Sequence, residues 1–178
     1  TPPRSLLLWG PPGSGKTTLA RLMAGRAGYA FASLSAVLGG IKDLRDVLAE
    51  IRHLVASGFR EIKFLDDTLA ADRGRALEIA RRIKAERLDI VWFASACVHQ
   101  VDRELLETFR EAGCWAILFG AESGVQKNLD ALRKGITIEQ TRRAVRAAKA
   151  AGLAVHTPFL FGIPGQTWEE GLETIRFA

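Results

Sequence analysis

Strand-like and helix-like segments alternate along almost the whole chain, and no other feature limits the choice of fold as strongly. Apolar, β-branched or aromatic runs predict strands at 6–9, 31–34, 61–65, 90–96, 115–119 and 154–161. Between them, the 3.6-residue period predicts one-sided helices. Ala76, Ile79, Ala80 and Ile83 share a face in 73–87; Leu105, Leu106, Phe109 and Ala112 do so in 103–112; Ala144, Val145, Ala148 and Ala151 do so in 139–151. Ser123 with Gln126, Thr137 with Gln140, and Thr167 with Glu170 have capping-box spacing, and Gly58, Gly113, Gly135 and Gly152 stand where helices should stop. Repeated βα units predict an α/β fold of parallel strands with right-handed crossovers. A half-barrel-like (βα) array is the expectation, with an open doubly wound sheet as the alternative. In either, ligands bind beyond the carboxyl ends of the strands.

A chain of 178 residues, 48% hydrophobic and 25% charged, has the make-up of a globular protein with a real core rather than a disordered one. Its 25 Lys+Arg against 20 Asp+Glu leave +5, which suits anionic partners such as nucleotides or nucleic acid without selecting one. No apolar run reaches the roughly 18–20 residues of a membrane span, and no leader pattern is visible, which reads as a cytoplasmic protein that does not enter membranes. The start at Thr1 and the stop at Ala178 within a helical pattern read as an excised segment. No low-complexity linker divides it, so 1–178 is expected to be one α/β unit.

Gly10-Pro11-Pro12-Gly13-Ser14-Gly15-Lys16-Thr17 fits G-x-x-x-x-G-K-[ST] between a strand-like run and a helical one. Glycines let backbone N–H groups curl around phosphate, and the helix start adds free donors. The expectation is ATP held by Pro12, Gly13, Ser14, Gly15, Lys16, Thr17 and Thr18, with Mg²⁺ on Thr17 and Asp66. Asp67 is the candidate for orienting water. Its side chain is short for that task, so slow ATP hydrolysis is the most to expect. Asp66 and Asp67 end an apolar strand, as a Mg²⁺-holding acid pair would; the equal alternative is an inherited barrel motif in which Asp67 caps the next helix.

This loop, with Leu8-Trp9 before it, Thr18-Leu19-Ala20 after it and the stretch 35–45, resembles the AAA+ ATPases related to clamp loaders, specifically the replication-associated recombination ATPases. The resemblance covers about the first 50 residues. It implies a nucleotide partner; the sensor residues and helical lid of that family have no clear counterparts here.

From about Glu50 a different resemblance takes over. The segments 61–68, 119–124, 132–137 and 161–167 are similar, in order, to strand-end motifs of radical SAM enzymes, nearest to the group joined to cobalamin-binding domains. That implies a partial (βα) barrel whose strand ends bind S-adenosylmethionine (SAM), with Glu122 and Ser123 at positions that face SAM. The family's cluster motif, C-x-x-x-C-x-x-C, is missing, and the phosphate loop occupies its expected place. The expected cofactors are therefore ATP and Mg²⁺, without an iron–sulfur cluster. The two resemblances together read as a chimera with a seam near 45–60, joining an ATPase-like segment (1–50) to a half-barrel (51–178). The main functional expectation is an ATP–Mg²⁺-binding protein; the alternatives are a barrel fragment that binds SAM weakly without a cluster, or a folded hybrid with no activity.

Three weaker patterns remain. Cys97, His99 and His156 are of the right types to hold zinc but lack diagnostic spacing. Arg133, Lys134, Arg142, Arg143, Arg146 and Lys149 form a basic stretch that reads first as a solvated helix face and only second as a nucleic-acid track. An unclosed sheet edge would favour self-association.

Overall fold

The computed structural model describes residues 16–26, 44–64 and 69–178. The chain divides into two compact units, Thr1–Leu34 and Ser35–Ala178. In the first, the described element is helix α1 (Lys16–Arg26).

The second unit runs α2 (Leu44–Ala56), β1 (Glu61–Lys63), a 3₁₀ turn (Leu69–Ala71), α3 (Arg73–Ala85), β2 (Val91–Ala96), α4 (Arg103–Glu111), β3 (Cys114–Phe119), α5 (Gln126–Ala131), α6 (Ile138–Ala150), β4 (Ala154–His156) and α7 (Trp168–Phe177). All strand pairs are parallel and the spatial order is β1-β2-β3-β4. Sequential order without reversal is the half-barrel arrangement; an open doubly wound sheet would reverse at a switch point. The fold is thus α/β, with parallel strands and alternating helices. No described helix is long and apolar enough to cross a membrane.

The pleat assigns two faces. Ile62, Trp92, Ala94, Ala96, Ile117 and Phe119 are buried toward the helices. There they meet Ala76, Ile79, Ala80 and Ile83 of α3 and Leu105, Leu106 and Phe109 of α4, the stripes that the periodicity predicts. Trp92 is the hub, edge-on to Phe64 and Phe109 at ring-centre distances of 5.3 and 4.9 Å. Its buried indole N–H donates to the Ala112 carbonyl at 2.8 Å, which satisfies that donor. Gly113 follows at φ +91°, and a Cβ there would stand 2.5 Å from the Ile90 carbonyl oxygen. The chain must be glycine at that helix stop for both reasons.

Residues 93, 95, 116, 118, 154 and 156 point to the opposite face. The register slips once, between Trp92 and Phe93, where β3 carries Trp115 as an extra residue. Trp115 thereby joins Phe93 and His156 on the open face, with ring centres 5.6–6.3 Å apart.

Two of the three predicted capping boxes form, Thr137 with Gln140 and Thr167 with Glu170. The third does not. Helix α5 starts at Gln126, two residues later than a Ser123 cap requires, and its N-cap residue Val125 offers no side-chain cap. The predicted last strand, 154–161, is cut to three residues because Pro158 has no N–H for the ladder. Pairing resumes as a single parallel bridge, Glu122 with Phe159. The strands predicted at 6–9 and 31–34 lie outside the described residues.

Candidate ligand cleft at the strand ends

Where β2, β3 and β4 end, the chain leaves a cleft of about 340 Å³, bordered by Ser95, Cys97, Gly120, Glu122, Lys134 and Pro158. That volume falls in the lower part of the roughly 300–1,000 Å³ range of small-molecule sites. The position is the one the parallel-sheet rule designates.

Its charged wall is built by backbone geometry. The Glu122 N–H donates to the Pro158 carbonyl at 3.1 Å, and the Glu122 carbonyl accepts from the Leu160 N–H at 2.8 Å. This one-residue pairing holds Glu122 at φ +60°, a left-handed conformation unfavourable for a non-glycine residue. Its carboxylate turns toward Lys134, whose ammonium donates to Oε1 at 2.7 Å, with the two side chains 16% and 33% exposed. Lys134 arrives from the end of α5 through Arg133, also left-handed at φ 52°. A Cβ on Gly120 would fall 2.6 Å from Glu122 Oε1 and 2.9 Å from Lys134 Nζ. In these side-chain positions the ion pair lies in space that a Cβ at 120 would enter.

Ser123, the neighbour of Glu122, is fully buried and turned away from the cleft. Its hydroxyl accepts from the Val125 N–H at 3.1 Å and the Asn128 amide at 3.4 Å and lies 3.2 Å from the Thr174 hydroxyl. It ties α7 to the β3–α5 loop. Gly124 completes that joint: a Cβ there would meet the Phe177 Cβ at 2.5 Å.

Of the remaining expected site residues, Pro12, Gly13, Ser14, Gly15, Asp66 and Asp67 lie outside the described residues, while Lys16, Thr17 and Thr18 open α1. Cys97, His99 and His156 do not gather: among the described residues no group of three His, Cys, Asp or Glu side chains could hold a metal ion. His156 instead packs against Phe93 and Trp115. In the basic stretch, Arg142 lies over the Phe177 ring at 5.2 Å and 4.0 Å from Glu139, and Lys134 is spent on Glu122. Lys134 is the site residue that sequence reasoning missed. It lies both in the segment 132–137, which resembles a strand-end motif, and in the basic stretch that reads first as a solvated helix face.

The model of the radical SAM superfamily matches residues 34–178. The chain belongs to the radical SAM superfamily. An uncharacterized methyltransferase of Pyrococcus horikoshii is 42% identical over 121 residues, 68% of this chain and 26% of that protein. The replication-associated recombination protein A of Coxiella burnetii is 53% identical over 64 residues, 35% of this chain and 14% of that protein. The radical SAM methyltransferase TsrM from Kitasatospora setae, solved with cobalamin and a [4Fe–4S] cluster bound, superposes with a TM-score of 0.70 at 23% identity over 75% of this chain and 28% of that one. At that identity the likeness shows the fold. The radical SAM chain thus spans about a quarter of the length of the relatives it matches over its barrel.

Membership corrects the main functional expectation. An ATP–Mg²⁺-binding P-loop protein with slow hydrolysis rested on a likeness that reaches about a third of the chain, whereas the superfamily match takes in the whole sheet. The strand-end cleft carries one charge of each sign on its wall, the Glu122 carboxylate and the Lys134 ammonium. The expected cofactor set, ATP and Mg²⁺ without a cluster, is corrected with it: the family is named for SAM, and TsrM was solved with a [4Fe–4S] cluster and cobalamin. The cleft of this chain is lined by an acid, an ammonium and the apolar Val98, Leu118 and Ile136. A cluster needs several thiolates. The cysteines here are Cys97 and Cys114. Cys114 is buried, its thiol donates to the Ala116 carbonyl, and burial pushes its pKa up to about 12. Cys97 borders the cleft alone, so these residues do not by themselves fit a cluster.

Proposed function

We infer that residues 35–178 form a SAM-binding partial barrel, with the ligand in the cleft at the ends of β2, β3 and β4. The carrying observation is the Glu122–Lys134 pair, formed by a left-handed Glu122 and set close against Gly120. Oε1 of Glu122 is taken by Lys134, and Oε2 can accept from the ligand's ribose hydroxyls or its ammonium. Lys134 retains N–H donors for the ligand's carboxylate. Ser95 and Gly120 are the small residues of the lining and leave space for a flat base. SAM, when bound, supplies a methyl group activated by its sulfonium. The chain's contribution is orientation, and the apolar lining from Leu118, Ile136 and Pro158 limits access of water. The join of an ATPase-like segment to this barrel, with a seam near 45–60, belongs to the same reading. Methyl transfer is the activity that the two methyltransferase relatives suggest for the longer proteins.

Titration calorimetry with SAM tests the reading. The wild-type chain is expected to bind; Glu122→Gln and Lys134→Ala should each weaken binding about tenfold, a loss of about 1.4 kcal/mol. Gly120→Ala should do at least as much while leaving the circular dichroism spectrum intact. If all three variants bind SAM as the parent does, the ligand lies elsewhere.

A further inference from the structure

Two arginines of the basic stretch, Arg142 and Arg146 of α6, border a cavity separate from the strand-end cleft. With Arg176 from the last turn of α7 and with Thr157, Phe159 and Phe177, they line a volume of about 230 Å³. We propose that this cavity binds a phosphate monoester carrying one flat ring, its phosphate on the three guanidiniums and its ring against the phenylalanines.

The segment after β4 divides the two sites. Successive side chains of an extended segment point to opposite sides. Pro158 accordingly borders the strand-end cleft, while Thr157 and Phe159 border this cavity. The bridge between Glu122 and Phe159 fixes that arrangement. All of the lining belongs to the unit Ser35–Ala178. The proposal therefore does not depend on what the strand-end cleft binds.

Charge carries the phosphate half of the argument. Arg142 and Arg146 stand four residues apart and share a helix face, a spacing at which like charges destabilise a helix by a few tenths of a kcal/mol. Arg176 brings a third positive charge from a different helix. Elsewhere Arg52, Arg73, Arg81, Arg82 and Arg103 each rest on a carboxylate. Among the described residues the Arg146 and Arg176 guanidiniums have no such partner. Arg142 is held ready, 5.2 Å over the Phe177 ring centre and 4.0 Å from the exposed Glu139. Ala178 also borders the cavity, and its terminal carboxylate opposes an anion, but three guanidiniums outweigh it. The guanidinium fork matches the terminal oxygens of a phosphate, and three forks suit its double charge. Arg143 and Lys149 point away into solvent, so the cavity takes only part of the basic stretch.

The rings carry the other half. Phe159 and Phe177 are half-buried and lie edge-on, with centres 6.1 Å apart at 82°, and Val145 lies beside them. Flat apolar groups find their preferred offset and edge contacts against such a pair. The volume lies below the roughly 300–1,000 Å³ of drug-sized pockets, which limits the ligand to about one ring.

Titration of the full chain with phenyl phosphate, followed by phosphorus NMR, tests the proposal. Binding is expected with a dissociation constant below about 1 mM, and inorganic phosphate should bind at least about fivefold more weakly. Arg146→Ala and Arg176→Ala should each weaken phenyl phosphate about tenfold, with melting temperatures no lower than the parent's, because both positions are exposed and alanine suits a helix. Phe159→Leu should weaken phenyl phosphate about threefold and leave inorganic phosphate unchanged. Lys16→Ala and Lys134→Ala, which alter the phosphate loop and the strand-end cleft, should change nothing. Uridine monophosphate in the same titration separates the two sources of such a ligand: tighter binding than phenyl phosphate identifies a nucleotide, weaker binding a simple aryl ester. No binding of phenyl phosphate up to about 10 mM, equal affinity for inorganic phosphate, indifference to both arginine variants, or loss on Lys16→Ala or Lys134→Ala would each overturn the proposal.

Discussion

The two cysteines show how position in one strand–loop system separates chemically identical residues. Cys114 is the first residue of β3, buried against the helices, with its thiol bonded to a carbonyl and its pKa raised to about 12 by desolvation. Cys97 borders the cleft. Alkylation with iodoacetamide at pH 8, read by peptide mass spectrometry, should label Cys97 and leave Cys114 untouched until denaturant is added. The same shift has a pH consequence of definite sign. The unfolded thiol ionises near pH 8.5 while the folded one stays protonated, so the stabilisation from Cys114 is complete below that pH and declines as pH rises toward 12.

At the scale of elements, helix ends decide how the layers lock. Asp102 caps α4, accepting from the Leu105 N–H at 2.9 Å, and also takes the Arg73 guanidinium at 2.6 Å from the start of α3. Arg73 reaches Glu104 as well, so one side chain fastens the two helix starts. The hydrogen bond from Arg73 is the chief cause that holds the Asp102 carboxyl below its ordinary value, with the capping N–H in support. A lowered carboxyl stabilises the fold above its unfolded pKa near 3.9, and the contribution fades as pH falls through the folded value. Asp102→Ala should cost about 1 kcal/mol through loss of the cap, with little more from the half-exposed pair. Urea melts at pH 7 and pH 3 should show that difference shrinking at the lower pH.

Elements of this kind were legible in advance because each is specified locally. The stripes of α3, α4 and α6, the caps at Thr137 and Thr167, and the glycine stops all depend on residues within one or two turns. The cleft was not legible in the same way. Glu122 could be singled out from a strand-end motif, but its partner Lys134 lies 12 residues on, and only a left-handed turn at Arg133 brings the two together. Ser123 misled for the converse reason. Its type and place suit a ligand or a cap, whereas its actual partner is Thr174, 51 residues away on a helix whose docking no local pattern reveals.

For the whole molecule, the lesson lies in the weight given to a short motif against a long pattern. A glycine-rich loop is a sharp local signal and drew the functional expectation to itself. Four successive βα units are a diffuse signal, but they set the sheet, its open face and its cleft, and the superfamily match follows them. Ligand chemistry is better anchored to the set of strand ends than to any one loop, because the cleft needs β2, β3 and β4 in register before Glu122 can face Lys134.

The extra residue in β3 has one more consequence, for how this strand tolerates length change. Below the slip Trp92 pairs with Cys114, and above it Phe93 pairs with Ala116, so Trp115 belongs to neither ladder. Removing Trp115 altogether would let both ladders run on without interruption, and Ile117 and Phe119 would keep their inward aim. Removing Ile117 would instead reverse every side chain after it and turn Phe119 out to water. The first shortened chain is expected to melt cooperatively within about 2 kcal/mol of the parent, the second not to fold. Thermal melts followed by circular dichroism distinguish a strand with a spare link from one that has none.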